Sequence, residues 1–169
     1  MPKIIENVRE QLLAEAKKQI SERGYSRTTI RSVAGECGLA VGTVYNYFSS
    51  KDMLIASFML EDWKSCLAQY NISAERDPEK LLRGLYSALQ SFIAIYRALF
   101  SDPDAARVFA SVFSERHKLL RDQLADIILP VCSGDNPCFT AQFISESLLT
   151  WTVAGASFEE IFLLLKKII

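Results

Sequence analysis

Apolar residues return along this chain at steps of three and four, and nowhere does a polar–apolar alternation run long enough for a strand. That single period is the strongest constraint on the fold. Stripes of this kind are buried by laying helix against helix, so the expected fold class is all-α, with eight or nine helices. Ile5, Val8, Leu12, Ala16 and Ile20 place one stripe on a first helix that stops at Gly24. A second, short helix starts at Thr28 or Thr29, both good N-cap residues. It carries Ile30, Val33, Ala34 and Cys37 on its apolar face before Gly38 ends it. A third covers Val41 to Phe48. Ser49 or Ser50 caps a fourth, with Asp52 in the first turn, where the helix dipole favours a carboxylate. Asp77-Pro78-Glu79 and Asp102-Pro103-Asp104 open two more by cap and first-turn proline, and Ser133 to Pro137 is the one clear loop beyond them.

With 169 residues, half of them hydrophobic, the chain can bury about 70% of its unfolded surface, so a core needs neither disulfide nor metal. Cys37, Cys66, Cys132 and Cys138 follow no ligand spacing and His117 is the only histidine, so no metal site is expected. There is no Gly-rich phosphate loop and no nucleophile elbow, hence no expected cofactor. One histidine without a paired acid–base cluster disfavours an enzyme. Met1 to Lys18 contains Glu6, Glu10 and Glu15 and no apolar run, which argues against a secretory signal. No stretch reaches the roughly 18 uninterrupted apolar residues of a membrane span. A soluble, cytoplasmic protein is expected.

Residues 29–48 form a short helix, a turn at Gly38-Leu39-Ala40 and a second short helix, the spacing of a helix-turn-helix. In that arrangement the second helix enters the major groove, so its outer face needs small residues for close approach and polar ones for base edges and phosphates. Val41, Gly42, Thr43, Tyr45, Asn46 and Tyr47 supply these, while Val44 and Phe48, four apart, face the core. Periodicity alone equally allows an amphipathic hairpin that only packs. Gly24-Tyr25, Thr28-Thr29-Ile30, Val33-Ala34, Cys37-Gly38-Leu39, Gly42 to Phe48 and Ser50-Lys51-Asp52-Met53-Leu54 together resemble the N-terminal signature of the TetR family of transcriptional repressors. The resemblance covers about the first third of the chain. It implies a three-helix DNA-binding head, a helical ligand-binding body and a homodimer on a double-stranded, near-palindromic operator.

Carried over residue by residue, the resemblance sets Val41, Gly42 and Asn46 against base edges, asparagine being suited to bidentate contact with adenine. Thr29, Thr43, Tyr45 and Tyr47 would bind phosphates, which fix register without reading sequence. Lys51 would place its ammonium against the DNA backbone, at a helix N-terminus that itself favours an anion. Arg27 and Arg31 either add phosphate contacts or are solvated charges. One departure stands out: where the family usually has Ser before the recognition helix, this chain has Ala40, forfeiting a cap worth about 1 kcal/mol.

The whole chain has a net charge of −1, yet residues 1–52 hold eight basic and six acidic side chains and the remainder is acidic. The expected division is a DNA-binding domain over 1–50 and an effector-binding and dimerisation domain over 51–169. Trp63, Cys66, Tyr70, Tyr86, Phe92, Tyr96, Phe109, Phe113 and His117 gather aromatic and soft side chains in the middle helices. In such a family they line a pocket for a small apolar or aromatic effector; each one alone reads equally as core. From Phe158 to Ile169 the polar residues Glu159, Glu160, Lys166 and Lys167 form one narrow stripe. A helix so apolar must be covered on two sides, either inside its own body or by a partner. Phe143, Leu148, Trp151, Phe158, Ile161, Phe162 and Leu165 are the candidate dimer-interface residues. The expected function is a ligand-responsive repressor; the alternative is a helical protein-interaction module that does not bind DNA.

Overall fold

The computed structural model describes residues 7–70, 72 and 75–169, with the backbone alone over 106–117. Ile5 of the expected first stripe lies outside the described residues. Among the described residues there are eight α-helices, one 3-10 turn at Leu129–Val131 and no strand, so the chain is all-α as its period implies. In order they are α1 Val8–Arg23, α2 Ile30–Glu36, α3 Val41–Tyr47, α4 Lys51–Gln69, α5 Pro78–Phe100, α6 Pro103–Ile128, α7 Pro137–Val153 and α8 Phe158–Leu165.

The helix ends follow local chemistry. α1 stops because Gly24 takes φ +78, a conformation that L side chains resist, and its N–H bonds to Ile20 O at 3.1 Å. Thr29 caps α2 in a reciprocal box with Ser32. Ser50, not Ser49, caps α4, its Oγ accepting from Met53 N at 3.1 Å. Asp77 and Asp102 cap α5 and α6 through the amides of Lys80 and Ala105. Asn136 and Ser157 do the same for α7 and α8. α8 is about a turn shorter than its apolar pattern, because after Leu165 the chain tightens into turns, Lys167 N to Leu164 O and Ile168 N to Leu165 O.

The chain divides into two compact units. One gathers everything up to Asp62 with Tyr96–Ala110; the other gathers Trp63–Ile95 with Ser111–Ile169. In the first, Leu12, Leu13, Ala16, Ile30, Val33, Ala34, Val44, Phe48, Leu54, Ile55 and Phe58 are buried. Each large side chain among them contributes about 1.5–3 kcal/mol by leaving water. Polar ties join its helices: Arg9 pairs with Glu61 at 2.7 Å, Lys17 with Asp62 at 2.6 Å, and Asp62 also accepts from the Tyr96 hydroxyl. The buried face of α1 differs from the expected stripe. Ile20 is only half-buried, and the fully buried position falls to Gln19, whose amide is satisfied from two sides.

In the second unit, Leu81, Leu82, Leu85, Ala88 and Leu89 of α5 pack with Leu124 and Ile128 of α6, Ile144 and Leu148 of α7 and Phe158 of α8. Trp63 meets Phe92 edge-on at 5.7 Å and donates its indole N–H to Gln123 Oε1 at 3.1 Å. The Tyr86 hydroxyl donates to Ala156 O at 2.9 Å, stitching α5 to the turn before α8. Among the described residues no helix is long and apolar enough to cross a membrane.

Candidate nucleic-acid interface

α3 is seven residues long and shows two unlike faces. Val44 is fully buried and Phe48, its extended C-cap, nearly so. Gly42, Tyr45, Asn46 and Tyr47 are exposed, the two tyrosines at 54% and 48%, while Val41 and Thr43 are half-buried. Two tyrosine rings held in water are costly for a helix that only packs, because burying them is the cheaper solution. A cleft of about 410 Å³ runs beside this face, lined by Tyr45, Asn46, Tyr47, Ser49, Met53 and, from α1, Arg9. Sequence reasoning missed Arg9. It stands 6.0 Å from the Phe48 ring and holds Glu61, and no sequence spacing links it to α3.

Ala40 precedes α3 with extended geometry suited to a cap and makes no side-chain cap bond, as its methyl dictates. At the head of α2, Thr29 is exposed. Its Oγ1 accepts from Ser32 N at 2.9 Å, and among the described residues no acceptor takes its hydroxyl hydrogen. Thr29 and Lys51 are not among the cleft-lining residues.

Lys51 is half-buried. Its ammonium donates to Tyr25 O at 3.0 Å and lies 3.5 Å from the centre of the Tyr25 ring. Burial pulls its pKa below the ordinary lysine value, against the upward pull of Asp52, Asp102 and Asp104. Tyr25 is itself buried, its hydroxyl donating to Asp52 Oδ1 at 2.6 Å. Burial first, then that bond, raises the phenol well above the usual tyrosine range. An ammonium has three donors, so this anchoring leaves Lys51 hydrogens for an anion while fixing where they point.

The structure distributes the candidate effector residues unevenly. Trp63, Cys66 and Tyr86 are buried in the second unit's core, with Tyr70 and Phe92 half-buried against it and the Tyr70 hydroxyl 3.0 Å from Ser91 Oγ. Tyr96 belongs to the first unit, where its hydroxyl is taken by Asp62. The side chains of Phe109, Phe113 and His117 lie outside the described residues.

The candidate interface residues also separate. Leu148 and Phe158 are core residues of their own unit, corrected by complete or nearly complete burial: Phe158 stacks on Phe162 at 5.3 Å and lies under the Arg83 guanidinium at 4.1 Å. Ile161 and Leu165 form the floor of a groove of about 380 Å³ between α7 and α8, walled by Phe143, Trp151, Leu164 and Ile168. Trp151 and Leu164 are 55% and 65% exposed. The periodicity had placed an apolar surface here; it could not say which side of each helix the core claims.

A short helix, a turn and a second short helix with a polar outer face place the chain among the helix-turn-helix proteins. The model of bacterial regulatory proteins, tetR family, matches residues 12–58, the stretch that carries this geometry. Residues 12–58 are thus a tetR-type DNA-binding segment. It is 29% identical over 125 residues to the transcriptional regulator HbdR of Aromatoleum sp. (strain CIB), covering 72% of this chain and 53% of that protein. It is 31% identical over 114 residues to the regulator BetI of Stenotrophomonas maltophilia, covering 59% and 58%. The chain thus spans about half the length of the curated relatives it matches. Its fold is that of Thermus thermophilus FadR, a TetR-family repressor solved with lauroyl-CoA, at a TM-score of 0.61 and 22% identity over 94% of this chain and 90% of that one.

Proposed function

We propose that the chain is a DNA-binding transcriptional repressor, not an enzyme, that works as a homodimer on a near-palindromic operator. The observation that carries this is the exposed polar face of α3, Gly42, Tyr45, Asn46 and Tyr47, on a helix whose opposite side is locked into a core. Val41, Gly42 and Asn46 face base edges. Thr29, Thr43, Tyr45, Tyr47 and Lys51 hold phosphates, and the anchoring of Lys51 by Tyr25 orders its ammonium in advance. The α7–α8 groove is the dimer surface, with Phe143, Trp151, Leu164 and Ile168 meeting their counterparts across a two-fold axis. The two recognition helices then sit one helical turn of DNA apart.

A small apolar effector, of which a long-chain acyl group is one class, binds the second unit beside Trp63, Tyr70 and Phe92. It releases the operator only as far as it prefers a conformation that binds DNA less well. The test is fluorescence anisotropy with a duplex that the unmutated chain enriches from a random-sequence pool. Affinity should fall about 10³- to 10⁵-fold between 50 and 200 mM salt, and Tyr45→Ala and Asn46→Ala should each weaken it. No enrichment from the pool refutes the proposal.

A further inference from the structure

Gln19 is the one polar residue of α1 that is wholly buried, and an amide of that kind is retained in a core only when both ends are paired. Here they are. Its Nε2 donates to Glu15 Oε1 at 2.8 Å, and its Oε1 accepts from Ser32 Oγ at 2.6 Å. The orientation is fixed, because the reverse would set the amide oxygen against a Glu15 carboxylate oxygen, acceptor against acceptor. Ser32 Oγ in turn accepts from Thr29 N at 3.0 Å, while Ser32 N donates to Thr29 Oγ1 at 2.9 Å. The side chains of Glu15, Gln19 and Ser32 therefore form a file that reaches Thr29 through two backbone amides, Thr29 N to Ser32 Oγ and Ser32 N to Thr29 Oγ1, and it ends on the surface at the Thr29 hydroxyl, whose hydrogen has no acceptor among the described residues.

We infer that Gln19 is a positioning residue for DNA binding: from inside the core it fixes the Ser32 rotor, and through the Ser32 Oγ that accepts from the Thr29 N–H it holds the N-cap whose exposed hydroxyl takes a phosphate oxygen. This rests on the DNA-binding function proposed above. A serine in the first turn of a helix can turn its hydroxyl to the carbonyl three residues back, and Ser32 Oγ lies 2.9 Å from Thr29 O. The shorter bond to Gln19 draws the proton inward, so the oxygen lone pair stays on the Thr29 N–H and the cap geometry holds. A leucine or methionine at position 19 would fill the same volume without a polar group to satisfy, yet would leave Ser32 free to turn. The amide therefore serves geometry that an apolar side chain cannot supply.

The test is a double-mutant cycle between Gln19→Met and Thr29→Val, read as affinity of the full chain for the pool-selected duplex. Gln19→Met alone should weaken binding about fivefold, the loss typical of one capping interaction. On the Thr29→Val background it should change nothing further, because the group it positions is gone. Ser32→Ala should reproduce the Gln19→Met loss and remain equally silent in the double variant. In the DNA-free chain, Gln19→Met should speed hydrogen exchange at the Thr29 amide several-fold while leaving the Val33 amide unchanged. That measurement needs no DNA and reports on a variant of altered stability. Equal losses with and without the Thr29 hydroxyl, or unchanged exchange at Thr29, overturn the relay while leaving the DNA-binding function standing. An unmutated chain that enriches no duplex overturns both.

Discussion

Gly42→Ala should make the protein more stable and worse at binding DNA, two effects that a residue of purely structural importance would not combine. Gly42 is the second residue of α3, is exposed and has no positive φ. A Cβ built on it meets no heavy atom within 4 Å. With no clash to offset it, the gain is the helix preference of alanine over glycine, about 0.5–1 kcal/mol. For a chain of this size that raises Tm by about 1–4 °C. Gly42 and Asn46 are one turn apart and share a face, so on the proposed placement the added methyl points where base edges approach. Forcing a methyl into a close-packed contact costs about 1–3 kcal/mol, or roughly a five- to hundredfold weaker complex. Scanning calorimetry and anisotropy on the selected duplex read the two effects separately. A higher Tm with unchanged affinity would refute the placement of Gly42 at the groove, and a lower Tm would refute the claim that the space beside it is open.

Ala40→Ser restores a capping oxygen at a position whose backbone already has cap geometry, and should add about 1 kcal/mol of stability in a thermal melt. Trp151→Glu or Leu164→Glu places a charge in the α7–α8 groove at a side chain its own unit does not bury. Each should leave the circular dichroism intact, shift the chain to monomer in sedimentation velocity and abolish tight operator binding. The Tyr25 phenol is raised in the folded state, so the stability it lends is fully present below the ordinary tyrosine value and is lost as pH climbs through and beyond that value. A spectrophotometric titration should therefore show Tyr25→Phe lacking one phenolate that the unmutated chain exposes only as it unfolds in alkali.

Much of the fold was legible because periodicity and caps are local. Thr29, Ser50, Asp77, Asp102 and Gly24 announce their helix ends by side-chain chemistry or the lack of a Cβ, and the structure uses each for that purpose. The two faces of α3 were legible for the same reason, Val44 and Phe48 being a turn apart. What stayed hidden depends on partners distant in sequence. Arg9 reaches the cleft only because α1 passes beside α3, and nothing near it in the chain marks that. Gln19 follows Lys17 and Lys18 and looks like surface until Ser32, 13 residues on, supplies its partner. Leu148 and Trp151, three apart on one apolar helix, looked alike in sequence, and only the packing of α5 and α8 sends one inward and the other out.

The unit that carries α3 is not finished by the first 62 residues; it also enlists Tyr96–Ala110, whose Tyr96 hydroxyl closes on Asp62. Synthesis proceeds from the N-terminus at about 5–20 residues per second. The helix-turn-helix segment therefore leaves the ribosome several seconds before the last strip of its own unit is made. During that interval the nascent chain holds α1, α2 and α3 without the segment that completes their unit, so a fragment ending near residue 62 should be a poor stand-in for the head.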